Sequence, residues 1–305
     1  MNMSHGTPLK ILLTGATGFL GSHLLRALIE SGHDVVGLTR RTSDISRLPD
    51  VTNNLYLVDV EDGLERIFEN HPDIAVVIHA ATNYGNQGEF PSEVLLANVI
   101  MPLKILELMS FNKSGVFINT DTFFCKIEED YYYLADYILS KKLFYKMGRR
   151  FSERNEAAFI NVRLEHVFGP GDGPRKFTSS IIKRLLDNDS VIELTAGEQL
   201  RDFVFIDDVV SAYMKIINSA KVIESREVRE FEVGSGEVHS IRDFVSTAHR
   251  ITGSRSALSF GALPYREHEI MHSKANLEAL HAIGWRAGID MEAGIEKVVS
   301  SMQHA

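Results

Sequence analysis

This sequence predicts an α/β fold: a doubly wound parallel sheet followed by a smaller C-terminal α/β lobe. Three observations carry the prediction. Short Val- and Ile-rich runs alternate with helical patterns through the first half of the chain. A turn spaced by Gly15, Gly18 and Gly21 joins the first apolar run to the first amphipathic one. A Gly/Pro cluster at 169–174 ends the alternation, and the pattern beyond it is less regular. Alternating strands and helices are accommodated by parallel strands with crossover helices.

Strands are expected at residues 9–13, 34–38, 55–58, 75–79, 116–119 and 159–162, most of them short and β-branched, as strands covered on both faces are. Helices are expected at 19–31, 61–69, 92–111 and 134–154. Leu20, Leu24 and Leu28, with Leu25 and Ile29 beside them, give the first helix a single apolar face. Beyond the Gly/Pro cluster the pattern predicts helix 176–187, strand 191–194, helix 207–219, strand 230–233, and helices near 240–252, 274–282 and 291–302. No linker composition separates the halves. The expected division is a first domain over 1–167 and a lobe over 168–305, with some lobe elements returning to the main sheet.

The chain has 305 residues, 44% hydrophobic and 24% charged, which is ordinary for a globular protein. A net charge of -9 without a basic cluster argues against nucleic acid as a partner. The one cysteine, Cys125, cannot form an internal disulfide, which fits a reducing cytoplasm. No apolar run approaches the roughly 18 residues that a membrane span needs. The 12 histidines show no metal-ligand spacing, so no metal is expected.

Chemistry enters at Gly15-Ala16-Thr17-Gly18-Phe19-Leu20-Gly21. A strand, a glycine turn and a helix start form a site for a dinucleotide pyrophosphate. Gly15 permits the turn, Gly18 lets phosphate approach the backbone, and Gly21 lets the helix pack close to the strand. An acid about 20 residues further on usually holds the ribose 2′-hydroxyl. Here Thr39 stands in its place, followed by Arg40 and Arg41. Guanidinium groups suit a 2′-phosphate that a carboxylate would repel, so NADP(H) is favoured over NAD(H); the alternative is that both arginines only solvate a loop. Asp59, ending the third strand, is a candidate acceptor for the adenine amino group.

Tyr137 and Lys141 lie four apart, on one helix face. A neighbouring ammonium is expected to lower the phenol's pKa, making Tyr137 a proton donor to a carbonyl or an acceptor from an alcohol. Thr120 ends the fifth strand, where ligands of open α/β sheets bind. Its hydroxyl either holds a reacting oxygen or caps a turn.

In order and spacing these features resemble the extended short-chain dehydrogenase/reductases, in the nucleotide-sugar epimerase/dehydratase group with its Rossmann-type domain. The carriers are the glycine turn, His79-Ala80-Ala81, Asn98, Thr120, Tyr137 with Lys141, Arg163 with Gly169-Pro170-Gly171, the run from Arg201 to Asp208, Tyr265-Arg266 and Gly284-Trp285. The resemblance implies that Gly15, Thr17, Gly18, Phe19, Leu20, Gly21, Asp59, Val60, Ala80, Ala81, Thr82 and Asn98 bind the cofactor, together with Thr39, Arg40, Arg41, Tyr137 and Lys141. It implies Thr120, Tyr137 and Lys141 as the catalytic set, with Lys141 on the nicotinamide ribose. Thr82, Thr120, Asp121, Thr122, His166, Arg201 and Arg266 would meet a nucleotide-diphosphate sugar, the two arginines at its diphosphate. His79 is expected to be structural.

Departures from the group narrow the chemistry. Sugar-nucleotide 4,6-dehydratases carry Thr-Asp-Glu where this chain has Thr120-Asp121-Thr122. Group epimerases retain NAD and carry the ribose-binding acid that Thr39 replaces. The reading is therefore NADPH-dependent reduction of a 4-keto group on a nucleotide-linked deoxyhexose, in deoxysugar and surface-polysaccharide (O-antigen) synthesis. The stretch 163–170 resembles reductases of the CDP-abequose synthase type, which implies a CDP-linked sugar. The alternatives are an NAD-dependent 4-epimerase and a dinucleotide-binding protein without turnover. Relatives pair two helices per subunit, so a homodimer through 92–111 and 134–154 is expected.

Overall fold

The computed structural model describes residues 8–48, 53–111, 115–126, 133–154, 157–220 and 227–304. They form two compact units: the described residues of 8–126, 133–163 and 213–231, and those of 164–212 and 232–304.

The first unit is built on β1 (Lys10–Thr14), β2 (Asp34–Thr39), β3 (Leu55–Asp59), β4 (Ile74–His79), β5 (Val116–Thr122) and β6 (Ala158–Leu164). With the later β11 they make a seven-stranded sheet in the order β11-β6-β5-β4-β1-β2-β3, where β11 is Val228–Val233. β1 pairs in parallel with both β2 and β4, β2 with β3, and β4 with β5. The strand order therefore reverses between β1 and β4, and open sheets bind ligands at the carboxyl ends of such a pair. The Gly15 turn and residues 80–82 both leave the sheet there.

Helix α1 (Phe19–Glu30) buries Leu24, Leu25 and Leu28, the apolar face its periodicity predicts. Other helices are α2 (Leu64–Asn70), α3 (Pro91–Leu95), α4 (Met101–Phe111) and α5 (Ala135–Arg154). Leu12, Val36, Val77, Phe117 and Phe159 of the sheet share one core with Ile105, Leu106, Met109 and Phe144 of α4 and α5. A Cβ on Gly148 would meet Phe159 at 2.5 Å, so glycine is what lets α5 lie this close to β6.

Three predicted helices differ in detail. Segment 61–69 is a 3₁₀ turn, Val60–Asp62, then α2, broken at Gly63 with φ +95°. Segment 92–111 is α3 and α4 joined by a π turn, Leu96–Ile100, just ahead of Pro102, which has no N–H to continue the regular ladder. Segment 274–282 is helical only as Glu278–Ala282.

The second unit contains β7 (His166–Phe168), α6 (Phe177–Leu186), β8 (Val191–Leu194), β9 (Leu200–Arg201), β10 (Phe203–Phe205), β12 (His239–Ser240), α8 (Ile241–Thr252), β13 (Ala257–Phe260), α9 (Glu278–Ala282) and α10 (Met291–Gln303). Its strands form three short pairs, β7 with β10, β8 with β13 and β9 with β12. Phe168, Phe203, Phe205 and Phe244 pack ring against ring at its centre. Helix α7 (Ile206–Ala220) starts in this unit and ends in the first.

Candidate active site

The glycine turn is shaped by contacts that exclude side chains. Gly15 has φ +70°, and a Cβ on it would lie 2.6 Å from the backbone nitrogen of Ala81. A Cβ on Gly21 would lie 2.0 Å from the carbonyl oxygen of Gly15. Gly21 is thus required by the turn itself, where the sequence reading placed its contact on the strand. Gly18 N–H donates to Gly15 O at 2.9 Å and closes the loop. Gly18 also occupies the N-cap of α1 with no capping side chain, and the first turn carries no acid. First-turn N–H groups left open in this way suit an anionic pyrophosphate, so the residues fit a dinucleotide. Thr17, Phe19 and Leu20 are half-buried around this turn.

Thr14 fixes the turn to the neighbouring strand. Its hydroxyl accepts from Ala81 N–H at 3.1 Å and lies 2.9 Å from His79 Nδ1. Burial holds the His79 pKa well below 6.5, so the ring is neutral. The same junction orders the following loop: Asn98 Oδ1 accepts from Asn83 N–H (2.8 Å) and the Thr82 hydroxyl (3.4 Å). Asn98 Nδ2 donates to Asn83 O (2.7 Å) and Ser140 Oγ (2.9 Å), and Ser140 Oγ donates to Tyr137 O (2.7 Å). Asn98 therefore joins the loop after β4 to the helix that carries Tyr137.

At the far end of the cradle, Thr39 Oγ1 donates to Val58 O at 3.3 Å. Arg40 is exposed and has no ion pair among the described residues. Arg41 lies 3.5, 3.3 and 3.6 Å from Asp59, Glu61 and Asp62. Asp59 also caps the 3₁₀ turn opened by Val60, accepting from Glu61 N–H at 2.8 Å. The two arginines read together in the sequence are thus differently engaged.

Tyr137 and Lys141 are both buried on α5. Lys141 Nζ donates to the carbonyl of Thr120 at 3.0 Å. The Tyr137 ring lies 4.8 Å from Tyr84. Burial, reinforced by Tyr84 and Asp121, pushes the phenol pKa well above 10, although Thr122 opposes this by hydrogen bonding. The expected lowering by Lys141 is therefore corrected. Desolvation of the neutral-preferring phenol outweighs a lysine whose charge is directed at Thr120 O and Asp121.

Asp121 is held by two residues of β6. Its Oδ2 accepts from Asn161 Nδ2 (3.0 Å) and Arg163 Nε (3.2 Å), and its side chain is fully buried. Asn119 Nδ2 extends the array to Asn161 Oδ1 at 2.7 Å. Thr120 Oγ1 lies 2.7 Å from the hydroxyl of Tyr213 on α7. Tyr213, Tyr84 and Ser140 escaped the sequence reading. Tyr213 sits at a position of the α7 apolar stripe where any large core residue fits, and nothing local marks it.

In the second unit, Arg201 is buried and its guanidinium pairs with Glu269 at 2.8 Å while donating to Leu200 O at 3.0 Å. The cation expected at a diphosphate thus has a protein carboxylate as partner here, the salt-bridge alternative open to both arginines from the sequence, although the pair is buried and not at the surface. Arg266 is exposed, and its carbonyl accepts from Glu269 N–H at 3.2 Å. His166 opens β7, its N–H donating to Asp202 O at 3.1 Å. Burial together with Arg201 and Lys176 pushes its pKa down to about 3. Asp202 is a structural hub, accepting from Ser235, Gly236 and Ala275 backbone N–H groups at 2.6, 3.1 and 3.1 Å.

Among the described residues, no group of three or more His, Cys, Asp or Glu is placed to hold a metal, and no helix is long and apolar enough to cross a membrane.

Comparison with known proteins adds to this geometry. Residues 11–234 match the NAD dependent epimerase/dehydratase family. A CDP-abequose synthase of Salmonella typhimurium (strain LT2) is 38% identical over 301 residues, covering 96% of this chain and 98% of that protein. A dTDP-4-dehydro-6-deoxyglucose reductase of Escherichia coli is 26% identical over 328 residues, covering 96% of this chain and 97% of that protein. In fold, the chain is similar to a UDP-N-acetylglucosamine 4-epimerase from Methanobrevibacter ruminantium M1. That likeness has a TM-score of 0.84 at 21% identity, over 98% of this chain and 99% of that one.

Proposed function

The chain belongs to the NAD-dependent epimerase/dehydratase family, and from that premise we propose that it is an NADPH-dependent reductase of the 4-keto group of a nucleotide-linked deoxyhexose. The observation that carries this reading is the state of the three residues ending β5. Asp121 is buried and bonded to Asn161 and Arg163, and Thr122 has no carboxyl group. This strand end thus lacks the second acid of the Thr-Asp-Glu triplet, while Thr120 and Tyr137 remain as hydroxyl groups suited to carbonyl reduction. The near full-length likeness to a CDP-abequose synthase supports a CDP-linked sugar.

When bound, the nicotinamide supplies hydride to C4. The chain supplies the proton: Tyr137, held neutral by burial, gives its phenolic proton to O4 as the carbonyl becomes an alcohol. Thr120 donates a hydrogen bond to the same oxygen as negative charge develops there. Lys141, fixed on the Thr120 carbonyl one helical turn from Tyr137, would hold the nicotinamide ribose. Gly15 and Gly21 shape the turn, Gly18 at the N-cap of α1 leaves its backbone open to the pyrophosphate, and Arg40 is the exposed cation for a 2′-phosphate. Arg201, Arg266 and His166 stay the candidates for the sugar diphosphate, His166 kept neutral by burial. The expected boundary at 167/168 is moved: residues 164–167 go with the second unit, and the described residues of 213–231 return to the first.

One observation favours a second reading. Arg41 is turned onto three carboxylates, which leaves a single arginine for a 2′-phosphate and suits an NAD-retaining 4-epimerase better. A homodimer accompanies either reading. Leu96 and Ile100 on one helix, and Leu139, Leu143 and Met147 at four-residue spacing on another, are exposed.

The test is NADPH and NADH oxidation with a panel of CDP-, dTDP- and UDP-linked 4-keto-6-deoxy sugars, with products identified by mass and NMR. Stoichiometric NADPH loss with one reduced product is expected. Interconversion of C4 epimers with tightly held NAD and no net oxidation would replace the reductase by the epimerase.

A further inference from the structure

We propose that Tyr213 is a positioning residue for Thr120, holding its side-chain oxygen so that the Thr120 proton is turned to the reacting carbonyl. The inference rests on the reading of Thr120 as the residue that steadies that oxygen.

Tyr213 belongs to the buried stripe of α7, with Ile206, Val209, Ala212, Ile216, Ile217 and Ala220. Among these residues only Tyr213 has a polar side-chain atom; the buried Asp208 of the same helix accepts from the Gly288 and Ile289 N–H groups. A phenylalanine would fill the same volume without a buried hydroxyl, which costs stability unless it is hydrogen-bonded. The partner is Thr120 Oγ1, 2.7 Å away. The direction of the bond follows from chemistry. A phenol oxygen shares its lone pair with the ring, so it donates more strongly and accepts more weakly than an aliphatic hydroxyl. Tyr213 O–H therefore donates to Thr120 Oγ1, leaving the threonine its own proton.

The other end of Thr120 is held as well, since its carbonyl accepts from Lys141 Nζ at 3.0 Å. Backbone and side chain are thus anchored from two helices, α5 and α7. Donation from Tyr213 also polarises the Thr120 hydroxyl and strengthens its hydrogen bond to a developing oxyanion. Burial and the nearby Asp121 charge keep Tyr213 a phenol, as a donor must be.

The experiment compares the parent chain with Tyr213→Phe, Thr120→Val and the double variant. Single-turnover NADPH consumption is read with a CDP-linked 4-keto-6-deoxyhexose, alongside KM for the sugar and the melting temperature. Tyr213→Phe is expected to slow reduction about tenfold and to change KM by less than about twofold. In the Thr120→Val background it should add nothing. A Tyr213→Phe rate within about twofold of the parent, or an equal loss in both backgrounds, overturns the proposal. An unchanged rate in Thr120→Val, or no NADPH consumption by the parent, overturns the reading beneath it. Should Tyr213→Phe fail to fold, Thr120→Ser decides. Held by Tyr213, the serine hydroxyl keeps at least about half the parent rate; a drop of about tenfold would mean the threonine methyl does the positioning.

Discussion

Lys141 Nζ donates its 3.0 Å hydrogen bond to the carbonyl oxygen of Thr120. The lysine thus ties the helix carrying Tyr137 to the strand carrying the reacting hydroxyl. Its charge is directed at the strand, and burial is left to dominate the Tyr137 phenol.

Tyr137 should therefore act as an acid over a wide pH range. Its active form in reduction is the neutral phenol, and its pKa lies well above 10. Deprotonation removes activity only as pH rises through that raised value. Reductive kcat/KM is expected to be flat from about pH 7 to 9.5, and Tyr137→Phe to lower kcat by about 10²–10⁴-fold. Steady-state assays across this range check both; an alkaline decline below about pH 9 would show a lowered phenol instead.

Arg40 and Arg41 should contribute unequally to cofactor choice. Among the described residues Arg40 meets no acid, whereas Arg41 faces three carboxylates. Arg40→Ala is expected to raise KM for NADPH about tenfold and leave NADH unchanged, while Arg41→Ala has less than about a threefold effect. Initial rates with each cofactor make the comparison.

Gly21→Ala should abolish cofactor binding. The added Cβ would lie 2.0 Å from a backbone oxygen of the Gly15 turn, and no side-chain rotation relieves that contact. Calorimetric titration with NADPH should show at least about a hundredfold loss of affinity. Gly173→Ala is the control, because its φ is not positive and a Cβ there meets only Lys176 Cγ at 3.7 Å, an ordinary contact.

Stability should fall on mild acidification. His79 and His166 are both depressed in the folded chain, His166 to about 3, while an unfolded histidine titrates near 6.5. Below 6.5 the unfolded state binds protons that the folded state refuses. Stability contributed by the neutral rings is complete above that value and is lost as pH falls, by about 1.4 kcal/mol per pH unit for each histidine. Urea unfolding at several pH values between about 7.5 and 5 measures the slope.

Leu139→Arg should yield monomers. Leu139 is 61% exposed and lies in line with Leu143 and Met147. Sedimentation at micromolar concentration is expected to show a dimer for the parent and a monomer for the variant; a monomeric parent removes the dimer.

The sequence by itself determined the strand–helix alternation, the glycine turn and the pairing of Tyr137 with Lys141 on one helix. Each is a local pattern, a hydrophobic period or a fixed spacing, and local patterns survive without knowledge of distant neighbours. Gly15, Gly18 and Gly21 were readable for the same reason, although the contact that forbids a side chain at Gly21 was not. The tertiary structure alone decided how each polar group is engaged. Tyr213 meets Thr120, Asp121 meets Asn161 and Arg163, and Arg201 meets Glu269, all between residues far apart in the chain. The Tyr137 pKa moved the opposite way from the expectation because burial is a property of the packed fold, and desolvation there outweighs a charge four residues away.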